Sequence, residues 1–526
     1  MNIDDGTTEN GKQGNGHGGH VGKIKDMIWR PLVKTTARSS AVCVVFILLL
    51  VGALISTHML DTTTFVGGLT QISSPSSKTR AESPKKPRQQ IEIPLNCSAY
   101  ELTRSCPRNY PTNAEYDDPD RNVSATCPEY FRWIHEDLRP WAYTGITQDM
   151  VERARATANF RLTIVSGTAY VEKYHRSFQT RDVFTLWGIL QLLRKYPGKI
   201  PDLDLMFDCV DWPVIKSADY GGPNATTPPP LFRYCKDDET LDIVFPDWSF
   251  WGWPEIRVKS WVPLLNELIE SNQRVKWDER EPYAYWKGNP QVAETRQDLL
   301  KCNVSDTRDW GARVYAQDWG RESKQGYKTS NLANQCVHRF KIYVEGSAWS
   351  VSEKYILACD SPTLLVKPQY FDFFTRGLKP LQHYWPIKPD DKCRSIKYAV
   401  DWGNTHPEEA KAMGKAASEF IKEDLKIDYV YDYMFHLLNE YGKLMRYKPT
   451  VPKKAVEFCS ESMACPADGR KKDYMIESMV KGPSVTRPCT MPPPYDPASL
   501  HASLSEKENS IKQVDEWEKR FYENKR

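Results

Sequence analysis

Residues 340–366, FKIYVEGSAWSVSEKYILACDSPTLLV, hold the reading on which the fold turns. Phe340 to Val344 alternates like a strand, and Glu345-Gly346-Ser347 reads as a turn. Ser350-Val351-Ser352-Glu353 matches a capping box opening a helix. That helix is expected to end near Cys359-Asp360-Ser361-Pro362, with a second strand from Thr363 to Val366. A strand–loop–helix–strand unit of this kind is the building block of a parallel sheet.

A second stretch points the same way. From Arg181 to Tyr196, Val183, Phe184, Trp187, Leu190 and Leu193 fall at helical spacing, and Pro197-Gly198 ends the run. Leu203 to Cys209 reads as a short buried strand that empties into Asp211-Trp212-Pro213. Further helices are expected over 263–271, 407–425 and 428–446. Beyond Pro449 come Cys459, Cys465 and Cys489, then a charged segment with Ile511, Val514, Trp517 and Phe521 on one helical face, read as an appendage on the main body. No internal repeat is evident.

The 526 residues allow two or three ordinary domains and a large core. With 71 basic against 68 acidic residues there is no polyanion-binding signature, so no nucleic-acid partner is expected. One segment is apolar enough for a bilayer. Ser39 to Leu60 carries no charge, and a membrane helix needs about 20 residues. Lys23, Lys25, Arg30, Lys34 and Arg38 precede it, so the positive-inside bias puts the N-terminus in the cytosol and the remainder across the membrane. A cleaved signal peptide is the competing reading, but the apolar run is long for one and no A-x-A site follows.

Sequons at Asn96, Asn122, Asn224 and Asn303 all lie beyond this span, where glycosylation is possible. So do all the cysteines except Cys43, an even set that allows up to six disulfides of unreadable connectivity. The chain closes on Glu523-Asn524-Lys525-Arg526 without a KDEL-type signal. The expected organisation is a cytosolic tail (1–38), a signal anchor (39–60), a flexible lumenal stem (61–95), a main globular region (96–450) and a C-terminal extension (451–526). The expected address is the Golgi membrane, as a single-pass type II protein, with the endoplasmic reticulum as the alternative.

Three constellations have the residue types that chemistry needs. Asp208 and Asp211 stand at the carboxyl end of a strand, the edge beyond which α/β sheets bind ligands. A carboxylate at such a lip, beside the aromatic Trp212, suits general-base activation of a hydroxyl; a helix-capping or solvated Asp is the plainer reading. The helix opening near Ser350 and Ser352, preceded by Gly346 and carrying Lys354, has the parts of an anion site for a nucleotide-sugar diphosphate without a metal; an ordinary strand-to-helix turn has the same parts. Ala284-Tyr-Trp-Lys-Gly288 looks like a strand entering a turn, and Arg296 beyond it either reaches a phosphate or belongs to a surface network. The run Phe245-Pro-Asp-Trp248-Ser-Phe-Trp251-Gly-Trp253 is either core or a platform for sugar faces. No H-E-x-x-H, G-x-S-x-G, Walker loop or dinucleotide fingerprint is present.

In order, these motifs resemble the Rumi-type protein O-glucosyltransferases, the family with the capsule-associated-protein-like domain (glycosyltransferase family 90). The matching elements are Asp211-Trp-Pro213, Phe245 to Trp251, Ala284 to Gly288 with Glu294-Thr-Arg296, Glu345 to Lys354 with Cys359-Asp-Ser361, and Lys379 to Tyr384. They cover roughly 125–445. The resemblance implies an α/β fold of GT-B type, two Rossmann-like domains facing across a cleft. It also implies inverting transfer of glucose or xylose from a UDP-sugar to a hydroxyl of a glycan or glycoprotein. No permanently bound cofactor and no metal would be needed.

Carried over by position, Asp211 is the general base. Gly288, Arg296, Gly346, Ser350, Ser352 and Lys354 hold the donor, and Trp212, Trp248 and Trp251 are the sugar or acceptor contacts. The chain has Ser352 where animal members carry Arg, and Glu345-Gly346 where they have Arg-Gly. A non-catalytic lumenal lectin or scaffold that keeps the fold is therefore the alternative. A glycoside hydrolase using Asp208 and Asp211 is a third reading, but carboxylates three apart on a strand point to opposite faces. Asp202-x-Asp204 resembles a metal-binding motif of another glycosyltransferase fold, at the wrong end of its strand.

Overall fold

The computed structural model describes residues 91–113, 125–222 and 225–525. The apolar span 39–60, Cys43, Asn122 and Asn224 lie outside the described residues, among which no helix is long and apolar enough to cross a membrane.

Strands form in chain order as β1 (Phe160–Val165), β2 (Thr168–Lys173), β3 (Leu203–Phe207), β4 (Leu231–Arg233), β5 (Ile243–Val244), β6 (Glu281–Gly288), β7 (Ala312–Ala316), β8 (His338–Tyr343), β9 (Thr363–Val366), β10 (Tyr384–Ile387) and β11 (Val456–Phe458). They make two sheets, ordered β11-β2-β1-β3-β4-β5 and β10-β9-β8-β6-β7.

Every pairing of the second sheet is parallel. Its centre is the unit expected from residues 340–366, with β8 and β9 adjacent. Parallel strands need crossovers, and these cover both faces, so even the alternating residues of β8 are mostly buried. The intervening helix is shorter than the sequence suggests: it spans Glu353–Leu357, and Ser352 is its N-cap with no side-chain cap bond. The Ser350 hydroxyl does not cap it because it is engaged with Ser352 Oγ at 2.9 Å and with Arg296 at 3.0 Å.

The first sheet departs from the purely parallel pattern of a Rossmann-like domain. Only β3, β4 and β5 run parallel, whereas β1 pairs antiparallel with both β2 and β3. The reason is local. Ser166 and Gly167 both adopt positive φ, 50° and 76°, between the paired ends Val165 and Thr168. That is the two-residue hairpin geometry matching strand twist, and it turns the chain straight back.

Each sheet has its own core. The first is dominated by aromatic residues such as Trp141, Trp187, Trp248 and Trp251, and the second includes Trp286, Phe340 and Trp385. Trp251 has no exposure at all; its indole N–H donates to Tyr431 Oη at 2.9 Å, and its ring lies so close on Gly188 that a Cβ there would approach it to 2.4 Å. Helix Arg181–Lys195 needs a glycine at that contact, and Trp251 is core, not a sugar platform.

The segment read as an appendage is threaded through both halves. β11 adds an edge to the first sheet, and Val514 of helix Pro497–Glu523 sits in the second core. Three disulfides join the N-terminal segment to it: Cys97–Cys465, Cys106–Cys459 and Cys127–Cys489. Cys302–Cys393 and Cys336–Cys359 fasten the second half, leaving Cys209 and Cys235 as buried thiols. Five bridges therefore form among the described residues, not six. Of the described sequon asparagines, Asn96 is exposed and caps helix Cys97–Thr103, while Asn303 accepts a hydrogen bond from the Val314 N–H at 3.0 Å.

Candidate active site

A cavity of about 920 Å³ opens beyond the carboxyl ends of β3, β6, β7 and β8, and both halves of the chain line it. From the first half come Phe178, Arg181, Val210, Asp211, Trp248 and Trp253; from the second come Gly288, Arg296, Lys341, Gly346, Ser350 and Ser352.

The two carboxylates leaving β3 part company. Asp208 is buried, pairs with Arg233 and accepts from the Val210 N–H at 2.9 Å, which tightens the turn. Burial pushes its carboxyl above the usual range. Asp211 instead reaches the cavity wall with its side chain 24% exposed. Its two oxygens face the Arg181 guanidinium at 2.6 and 3.4 Å, and its carbonyl accepts from the Cys235 thiol. Arg181 also donates to the Cys209 carbonyl at 3.2 Å and lies 4.4 Å above the Trp248 ring. A planar guanidinium fixed by a carbonyl and a ring holds the carboxylate plane in one orientation. The hydrolase reading loses its second acid here, because Asp208 does not line the cavity.

Trp248 is buried but forms part of the wall, edge-to-face with Trp253 at 5.0 Å. Trp248 Nε1 and Arg181 Nε are buried donors without an acceptor among the described residues. Trp212 stands outside the cavity, 48% exposed, edge-on to Tyr370 at 5.5 Å.

In the part of the wall supplied by the second half, Arg296 is a clamp. Its donors reach the carbonyls of Glu345 (2.8 Å), Val344 (3.2 Å) and Asn289 (3.3 Å) as well as Ser350 Oγ, tying the turn after β6 to the turn after β8. Burial lowers its pKa to about 10. Gly346 admits the guanidinium, since a Cβ there would lie 3.1 Å from Nη2, and Gly288 makes room for the Trp286 ring at 2.5 Å. Within that turn the Glu345 carboxylate accepts the Gln369 and Tyr370 N–H groups at 2.9 and 2.7 Å, and burial raises its pKa to about 7.

Lys354 is a correction. Its ammonium pairs with Asp247 at 2.8 Å, both side chains are at most 2% exposed, and it does not line the cavity. It joins the helix to the Asp247 loop of the first half. Asp204 of the Asp-x-Asp motif is equally structural, buried against Arg161 and Tyr447. Among the described residues, the one His/Cys/Asp/Glu trio close enough to share an ion is Cys127, His436 and Cys489; two of these form a disulfide, and none lines the cavity.

Among the wall residues not singled out in the sequence are Arg181 and Lys341. A cation in the first turn of a helix opposes the macrodipole, a local conflict that could have flagged Arg181. Lys341 lies inside a strand of a parallel sheet, where both faces are buried, so a lysine there has to be explained.

A family model described as glycosyl transferase family 90 matches residues 122–518. The O-glucosyltransferase rumi homolog of Anopheles gambiae is 26% identical over 338 residues, 62% of this chain and 80% of that protein. Protein O-glucosyltransferase 1 of Homo sapiens is 24% identical over 345 residues (62% and 83%), and O-glucosyltransferase rumi of Drosophila melanogaster 24% over 357 residues (64% and 82%). The family match takes in both sheets, the cavity and most of the C-terminal helix, and by it this chain belongs to glycosyl transferase family 90, with the Rumi-type enzymes among its relatives.

Proposed function

We propose that the chain is an inverting, GT-B-type glycosyltransferase that moves glucose or xylose from a UDP-sugar to a hydroxyl of a glycan or protein acceptor. The relatives named as protein O-glucosyltransferases favour a protein among the acceptors. The observation that carries the reading is the placement of Asp211: an acid held in one orientation by Arg181, lining a cavity that it shares with two glycine turns clamped by Arg296.

In the reaction Asp211 accepts the proton of the acceptor hydroxyl. That oxygen bonds to the anomeric carbon as the bond to the UDP oxygen breaks, and UDP leaves with the electron pair on the opposite side. Charge develops on both partners, so preorganised donors matter most. The turns around Gly288 and Gly346 would receive the diphosphate, with Ser350 and Ser352 supplying hydroxyls. Arg296 contributes by fixing both turns, its N–H groups being largely engaged with main-chain carbonyls.

No metal is assigned a role in this reading, so transfer should persist in excess chelator. We place the activity in the lumen of the Golgi, on the sequence argument for a type II anchor. A lectin or scaffold of the same fold is the second reading, favoured by Glu345 in the turn and by the saturation of Arg296. Asp211→Asn separates them. The enzyme reading expects UDP affinity within about twofold of wild type and transfer reduced more than about a thousandfold. Wild-type transfer by that variant would remove Asp211 as the base, and absence of any UDP binding or transfer by the unaltered chain would favour the lectin.

A further inference from the structure

Lys341 is a cation in the cavity wall that the proposed chemistry does not use; unlike Lys287, which pairs with Glu322 at 3.5 Å, it has no carboxylate partner among the described residues. Its side chain is 2% exposed, yet it lines the cavity. No carboxylate lies within ion-pair distance among the described residues; its one hydrogen bond goes to the Gln335 carbonyl at 3.1 Å, and its ammonium sits 4.5 Å over the Tyr285 ring. An ammonium has three donors, so two are left without a hydrogen-bond partner among the described residues. Burial lowers its pKa to about 7, the mark of a charge not yet answered.

Position narrows what answers it. Lys341 pairs across the sheet with Tyr285, three residues before Gly288 at the sheet edge. At roughly 3.3 Å per residue the backbone of Lys341 is about 10 Å deeper than the glycine turns, and its ammonium bonds the carbonyl of Gln335, which precedes β8 on that deep side. A nucleotide-sugar has three parts in line. With the reacting sugar beside Asp211 and the diphosphate at the turns, the deep end is left for the base. A group that can only donate hydrogen bonds, beside an aromatic ring, selects a flat ring presenting oxygen acceptors. Uracil presents carbonyl oxygens; cytosine puts an amino group where uracil has its O4, setting donor against donor.

We propose that Lys341 determines the base specificity of the donor site, donating to O4 of uracil and rejecting cytosine, whose amino group takes that place. The inference rests on the nucleotide-sugar reading above. Its test is calorimetric binding of UDP, CDP and inorganic pyrophosphate to the full-length chain and to Lys341→Met, which keeps the aliphatic stem.

The unaltered chain is expected to bind UDP at least tenfold more tightly than CDP. The variant is expected to lose about tenfold in UDP affinity while CDP and pyrophosphate stay within threefold, so the ratio collapses. Equal affinity of the unaltered chain for UDP and CDP overturns the proposal without any variant, which keeps it testable should Lys341→Met fail to fold. Parallel weakening of all three ligands overturns it in favour of a phosphate contact or a purely structural lysine, and no change in UDP affinity overturns it too. Failure of the unaltered chain to bind UDP at all would remove the donor reading itself, a different result from binding without base preference.

Discussion

Two ion pairs flank the cavity, and they are chemically alike. Arg181–Asp211 has its acid 24% exposed, with one face toward the cavity, whereas Lys354–Asp247 is closed to within 2% on both sides. Only the first can exchange a proton with a substrate. The second holds the short helix Glu353–Leu357 to the loop before Trp248, with the Asp247 carboxylate also accepting from the Ser249 N–H at 2.8 Å. Exposure, not residue type, separates chemistry from construction.

The largest expected effect on stability comes from breaking the sealed pair. Lys354→Met leaves a buried carboxylate unpaired and should cost about 3–5 kcal/mol in urea unfolding, with Asp247→Asn similar. The comparison would break if Lys354→Met unfolded like the wild type yet lost UDP binding, for the lysine would then belong to the donor site. Asp211→Asn should differ in kind, changing stability by about 1 kcal/mol or less because its partner keeps a carbonyl and the Trp248 ring.

Glu345 sharpens the contrast, since it is neither open nor paired. Its carboxyl titrates at about 7 in the folded chain against an ordinary 4.5, because burial disfavours the anion. Between those values the folded state holds a proton that the unfolded state has released. Stability from this group is therefore full below about pH 4.5 and is lost as pH rises toward 7, by at most about 3 kcal/mol. Glu345→Gln keeps Oε1 to accept from Gln369 and Tyr370 and should flatten that part of the pH profile. Thermal unfolding of both proteins at pH 5 and pH 7.5 measures it; parallel profiles would show that the carboxyl is ionised throughout.

The fold was most legible where period and punctuation agreed. Residues 340–366 carried a strand, a glycine turn and a second strand in order, and the chain folds that way. The hairpin at Ser166–Gly167 was not read, although a Ser-Gly dipeptide between apolar runs is a turn signal, and it makes the first sheet mixed. Charge was the harder quantity. Lys354 and Arg296 have the residue types of an anion site, but sequence says nothing of competing partners: Asp247 is 107 residues from Lys354, and the carbonyls that hold Arg296 come from two separate turns. The disulfides joining residues 97–127 to 459–489 were unreadable for the same reason, because pairing at such separations is decided by the finished fold.

The smallest expected effect tests the aromatic residues. Trp251 and Trp212 both matched the pattern of a sugar contact, but Trp251 is sealed in the core while Trp212 is half exposed beside Asp211. Trp212→Ala should leave stability within about 1 kcal/mol, since half of the residue already faces solvent. Its expected signature is a KM for acceptor raised about fivefold with kcat unchanged, in line with about 1 kcal/mol for one half-desolvated ring contact. The backbone supports that separation: the Arg233 guanidinium donates to the carbonyls of both Val210 and Trp212, so the turn bearing Asp211 is held without the indole. A fall in kcat matching the rise in KM would mean that the ring, through its contact with Tyr370, orients the acid as well, and Trp212 would move from the acceptor surface to the positioning of the base.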